Sequence, residues 1–154
     1  NFFLEILNGK YRMKQLILLF LTSLLLVSCS SNKEIEITLR SIGETMKYDQ
    51  EILEIKTGSK VTLTFINKAT MQGMNHNVVI LKQKTNIKKF ASQALSHGPS
   101  YIPPSDKIIA KTKMTNPGET VTITFTMPNK KGYYPFVCTF PGHASSMQGT
   151  IRAI

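Results

Sequence analysis

Near the C-terminus, Cys138-Thr139-Phe140-Pro141-Gly142-His143-Ala144-Ser145-Ser146-Met147 carries a thiol, an imidazole and a thioether in the spacing C-x4-H-x3-M. A second imidazole, His76, stands far upstream in Met74-Asn75-His76-Asn77. Two histidines and a cysteine, with methionine as a weak fourth donor, make the donor set of a copper centre built for electron transfer. Cu(I) accepts soft sulfur and Cu(II) prefers nitrogen. A trigonal set of His76, Cys138 and His143 with Met147 held farther away suits both states, so little has to move on reduction. Pro141 stiffens such a loop, and Gly142 permits a tight backbone path. The pattern predicts one copper ion and an electron carrier rather than an enzyme. Zinc accepts the same His and Cys donors and is the chemical alternative for the metal.

These residues resemble the azurins and auracyanins of the cupredoxin family, and the similarity runs from about Ile35 to Ile154. The resemblance implies His76, Cys138 and His143 as equatorial copper ligands and Met147 as the axial one. It also implies that Asn77 ties the upstream strand to the ligand loop around Thr139, and that the amides of Asn77 and Phe140 donate to the cysteine sulfur. Met74, Phe140, Gly142 and Ala144 would form an apolar partner patch around the loop histidine. Three features depart from azurin. Asn75 replaces the glycine whose carbonyl approaches the metal there, Val78 replaces a tryptophan, and the azurin disulfide has no counterpart.

One loop carries three of the donors, so a folded framework must bring His76 to it. Ile35, Ile37 and Leu39 alternate with polar residues, as do Val61, Leu63 and Phe65, and Val121, Ile123 and Phe125. That period of two predicts half-buried strands. Further strands are expected at Ile52–Ile55, Asn77–Leu81, Gly132–Cys138 and Gly149–Ala153, with turns at Thr57-Gly58-Ser59 and Asn116-Pro117-Gly118. The whole reads as a Greek-key β-sandwich of seven to eight strands. A short helical flap is expected at about residues 86–96, with Asn86 as N-cap and Ile87, Phe90, Ala91, Ala94 and Leu95 on one packing face.

The segment before the sandwich reads as an export signal. Met13-Lys14 is taken as the true start, with residues 1–12 an upstream extension. Basic residues then precede an apolar run from Leu16 to Val27, ending in Leu26-Val27-Ser28-Cys29. Residues 13–28 form a lipoprotein signal peptide, Cys29 is the lipid-modified first residue of the mature chain, residues 29–33 are a tether, and residues 34–154 are the domain. The expected location is the bacterial cell envelope, lipid-anchored and facing the periplasm or exterior.

Removing residues 1–28 leaves 126 residues with 16 Lys/Arg and 8 Asp/Glu, a formal charge of +8 that favours acidic partners. Export argues against nucleic acid as a partner. Expected partners are c-type cytochromes or other envelope electron carriers, acting on a monomer. A second, catalytic copper would need more imidazoles than the lone remaining His97 supplies. The rival function is copper trafficking or buffering by the same soft ligands.

Overall fold

The computed structural model describes residues 34–154, so the calls on residues 1–12, on 13–28, on Cys29 and on the tether to residue 33 lie outside the described residues. Eight strands form two sheets. The strands are β1 (Ile35–Arg40), β2 (Ile52–Ile55), β3 (Lys60–Ile66), β4 (Val79–Leu81), β5 (Ile108–Lys111), β6 (Thr120–Thr126), β7 (Gly132–Val137) and β8 (Gln148–Ala153). One sheet has the order β1-β3-β6 and the other β2-β8-β7-β4-β5. β1 runs parallel to β3 and β2 parallel to β8, while the remaining pairs are antiparallel.

The alternation in sequence becomes the two faces of a sheet. Val61, Leu63 and Phe65 of β3 are buried in the core, while Thr62 and Thr64 face out and pair their hydroxyls with Thr124 and Thr122 at 3.3 and 3.1 Å. The main core fills the space between the sheets and includes Leu39, Leu63, Phe65, Ile80, Phe136 and Ile151.

β4 shows no alternation because both of its faces are covered. Val78 and Ile80 belong to the main core. Val79 and Leu81 point the other way and join Val137 and Phe90 in a second cluster. Phe90 comes from helix α1 (Ile87–Ala94), whose N-cap Asn86 accepts a hydrogen bond from the Lys89 amide at 2.9 Å. A 3-10 turn, Leu95–His97, follows the helix.

Several boundaries differ from the sequence reading. β4 begins at Val79 rather than Asn77, because His76 and Asn77 are held by bridge and side-chain bonds instead of a ladder. β7 ends at Val137, one residue before Cys138, and β8 begins at Gln148. β5 was not anticipated, its Ile108-Ile109-Ala110 being too short a run to show a period. Leu95 does not pack with the helix face and is 56% exposed.

Candidate metal centre

The ligand loop joins β7 to β8. Along β7 the inward residues are Tyr134 and Phe136, and the same register turns Cys138 into the core just past the strand end. The loop is closed at its base, where the Cys138 amide donates to the Met147 carbonyl at 2.9 Å. Inside it, Gly142 adopts φ +84, a left-handed conformation that a residue with a Cβ resists, and a 3-10 turn over His143–Ser145 follows. The Met147 amide donates to the His143 carbonyl at 2.8 Å, and Met147 is fully buried.

His76 arrives from the segment just before β4, the strand next to β7 in the same sheet. Its backbone exchanges two hydrogen bonds with Thr115, at 3.1 and 2.8 Å. Asn77 then joins the two segments: its Nδ2 donates to Thr139 Oγ1, and its Oδ1 accepts from the Thr139 amide, both at 2.8 Å. The peptide after Asn77 is held at both ends. Tyr48 donates its hydroxyl to the Asn77 carbonyl at 2.6 Å, and the Val78 amide donates to Thr112 Oγ1 at 2.9 Å.

This frame brings three donors together. His76 Nδ1 and His143 Nδ1 lie 3.1 Å apart, and Cys138 Sγ is 3.9 Å from the first and 3.8 Å from the second. A point equidistant from the corners of that triangle is about 2.1 Å from each, within the range of metal–imidazole and metal–thiolate bonds. Three electron-rich atoms facing one another at these distances repel unless a proton or a cation lies between them. The residues therefore fit a single metal ion.

The electrostatics also suit a metal. Burial, with a smaller contribution from His143, lowers the His76 pKa to about 4, and burial lowers that of His143. Both rings are neutral at neutral pH, as metal binding requires. Burial pushes the Cys138 thiol up to about 11, while hydrogen bonds from the amides of Asn77 and Phe140 pull the other way. Those two donors would stabilise a thiolate once a metal displaced its proton. His76 Nε2 is buried and has no hydrogen-bond partner among the described residues, so the ring is oriented through its backbone bridge and its Nδ1 side.

The other residues singled out in sequence fall around this centre. Phe140 is half-buried with its ring 4.8 Å from that of His143, Gly142 is exposed, and Ala144, Met74 and Asn75 are half-buried. His97 ends the 3-10 turn after α1 and is not among the three convergent donors.

Sequence reasoning missed the residues that hold the frame. Asn67 is fully buried, accepts from Ser41 Oγ and the Ala69 amide at 3.0 and 3.1 Å, and donates to the carbonyls of Met74 and Thr115 at 2.8 and 3.0 Å. It thus binds both segments that flank His76. A signal was available: Asn67 continues the inward series Val61, Leu63, Phe65, and an amide at such a position must find internal partners. Tyr48 and Thr112 carried no comparable signal.

A β-sandwich with two imidazoles and a buried cysteine converging at one end has the architecture of a cupredoxin, with His76, Cys138 and His143 positioned to bind its single copper ion. Residues 35–153 match the model of copper binding proteins of the plastocyanin/azurin family, and the chain belongs to that family. It is 36% identical over 127 residues to auracyanin-A of Chloroflexus aurantiacus, covering 79% of this chain and 76% of that protein. It is 34% identical over 116 residues to azurin of Pseudomonas fluorescens biotype B, covering 70% and 90%. The crystal structure of dithionite-reduced auracyanin from Roseiflexus castenholzii superposes with a TM-score of 0.72 at 38% identity, over 77% of this chain and 96% of that one. Blue copper proteins of this kind transfer electrons and are not enzymes.

Proposed function

We propose that this protein carries single electrons between redox proteins of the cell envelope, with Met147 as the weak fourth ligand to its copper. Copper supplies a one-electron couple by alternating between Cu(I) and Cu(II). The chain's own part is to hold the donors still. The paired bonds between Asn77 and Thr139, the Thr115 bridge and the loop-base bond leave the two ligand segments little freedom to move. The amides of Asn77 and Phe140 lower the cost of negative charge on the sulfur, a contribution to the reduction potential.

One observation carries the reading. Of the three donor residues, His76 and Cys138 are wholly buried, whereas His143 is 5% exposed and sits beside Phe140, Gly142 and Ala144. A partner can approach that imidazole edge without opening the site, and a small apolar contact allows brief encounters. The strand before Cys138 offers a second, longer route into the sheet.

The chain is read as anchored by a lipid on Cys29 and working as a monomer, with c-type cytochromes or similar carriers as partners. Copper-loaded protein is expected to show an intense thiolate-to-copper absorption that ascorbate bleaches, and His143→Gly to lose fast exchange with partners. A colourless copper complex, or metal surrendered within a few redox cycles, would favour copper trafficking instead.

A further inference from the structure

The loops at the two ends of the sandwich differ in charge. The end away from the ligand loop is built from residues 56–59, 82–86, 105–107 and 127–131, which lie between β2 and β3, between β4 and α1, before β5, and between β6 and β7. Hydrogen bonds tie these segments into one surface. The Lys82 amide donates to the Lys107 carbonyl at 2.8 Å, Gln83 Nε2 to the Lys131 carbonyl at 2.8 Å, and the Gly58 amide to the Met127 carbonyl at 3.0 Å. The segments hold Lys56, Lys82, Lys84, Lys107, Lys130 and Lys131 against a single acid, Asp106. All six lysines are exposed.

Asp106 lies 3.8 Å from Lys82, and the other five lysines make no ion pair among the described residues. At the adjoining strand ends, Lys60 pairs with Glu34 at 3.3 Å and Arg152 with Glu54 at 2.9 Å, so neither pair offsets the excess. The copper end has no such excess. Its loops, residues 41–51, 67–78, 112–119 and 138–147, hold Lys47, Lys68 and Lys113 against Glu44, Asp49, Glu51 and Glu119. A coat of lysines serving solubility alone has no reason to favour one end.

Two further features point to what the basic end meets. The chain enters the domain here, since β1 starts at Ile35, which pairs with Val61 at the start of β3. Cys29, read above as the lipid-bearing residue, is five positions before Glu34, and five residues of chain span at most about 18 Å. Tyr133, the second residue of β7, is 66% exposed at the rim of the same end. A ring that is apolar along its body and polar at its tip suits the boundary between headgroups and water.

We infer that this lysine-rich end lies on a membrane surface of anionic phospholipid, its ammonium groups against the headgroup phosphates and the copper end held away from the bilayer. The inference rests on the lipid-anchor reading of Cys29 for its tether and on the loops of the domain for its contact surface. A polybasic patch beside a lipid anchor is the second signal that makes attachment firm. β3 and β6, seven residues each, set the copper end roughly 20 Å from the lysines. His143 is then clear of the headgroups and free to meet a partner.

Lysine acylation read by mass spectrometry tests the contact, on copper-loaded protein purified from the cell and mounted on vesicles by its own anchor. Vesicles of phosphatidylcholine alone are compared with vesicles that also contain phosphatidylglycerol. Phosphatidylglycerol is expected to slow labelling of Lys56, Lys84, Lys107, Lys130 and Lys131 about fivefold at low salt, and high salt to remove most of the effect. Lys47, Lys68 and Lys113 should label alike on both. Lys130→Glu/Lys131→Glu should abolish the protection of Lys84 and Lys107, and Lys47→Glu/Lys68→Glu should leave it in place. Equal labelling on the two kinds of vesicle, or protection shared by both ends, overturns the contact. So does protection of the basic end by an added acidic cytochrome that phosphatidylglycerol does not reproduce. Failure of the anchor reads differently, as protein that does not sediment with phosphatidylcholine vesicles. Sedimentation with phosphatidylglycerol vesicles that Lys130→Glu/Lys131→Glu abolishes would then still support the basic end, and its absence would overturn it.

Discussion

Replacing Asn67 tests whether the frame around His76 is held by one buried amide. In Asn67→Ala the Ala69 amide and the Met74 carbonyl lose their partners. The Thr115 carbonyl still accepts from the His76 amide at 3.1 Å, and Ser41 Oγ still accepts from the Lys68 amide at 2.7 Å. Two stranded polar groups at roughly 1–3 kcal/mol each, partly relieved by relaxation, predict a loss of about 3 kcal/mol. Asn67→Asp has the same shape and keeps both accepted bonds, but it turns the two donated bonds into carboxylate–carbonyl repulsion. Its loss at neutral pH should be at least as large. The new carboxyl would have a folded-state pKa raised above its unfolded value, so the penalty is present at neutral pH and shrinks as pH falls through the raised pKa. Urea unfolding of the copper-free protein measures both variants, and copper release should be faster from each, because the carbonyls of Met74 and Thr115 no longer brace the ligand strand. Stabilities within about 0.5 kcal/mol of the parent for both variants would refute the argument, since even one stranded group costs more.

Three further outcomes are expected. Binding of Cu(II) near neutral pH should release close to one proton, because the Cys138 thiol is pushed up to about 11 while His76 titrates at about 4. Calorimetry in buffers of different ionisation enthalpy counts it, Cys138→Ser should abolish it, and two protons would mean that an imidazole is charged in the copper-free protein. Tyr101, at φ 52, packs edge-on against Phe140 at 5.5 Å, so Tyr101→Phe should be neutral and Tyr101→Gly about 1 kcal/mol more stable than Tyr101→Ala in thermal melts. Gly149→Ala would place a Cβ 2.7 Å from the Glu51 carbonyl, which is fixed by the Thr150 amide, and against the Phe136 ring. A loss of about 2–3 kcal/mol is expected by denaturant titration, and a neutral result would mean that β2 can shift away from β8.

The sandwich was legible where one face of a strand meets water. Val61–Phe65 and Val121–Phe125 alternate because only one side is buried, and Asn86 announced α1 because an amide before an apolar face has a specific capping role. β4 and β5 were harder, for α1 covers the outer face of β4 and erases its period, and β5 is four residues long. The same contrast holds at the centre. The loop donors could be read because they lie within ten residues of one another. His76 was named from the donor set, as the second imidazole such a centre needs, but no local rule brings its Nδ1 to 3.9 Å from Cys138 Sγ. The buried bonds from Asn67 to Thr115, from Tyr48 to Asn77 and from Val78 to Thr112 join residues 48, 29 and 34 positions apart, and no spacing in the sequence names these partners.

The bonds between Asn77 and Thr139 bear on how tightly the metal is held. Each of these residues immediately follows a donor, so they close the same 62-residue span that an ion bridging His76 and Cys138 would close. Closing a flexible span of that length costs about 4 kcal/mol in chain entropy from the length-dependent term alone. Because peptide and amide groups have already joined the two segments, that entropy is lost on folding and not again on metal uptake. The ion meets a preorganised chelate, and the chain keeps its shape whichever oxidation state, or whichever ion, occupies the triangle.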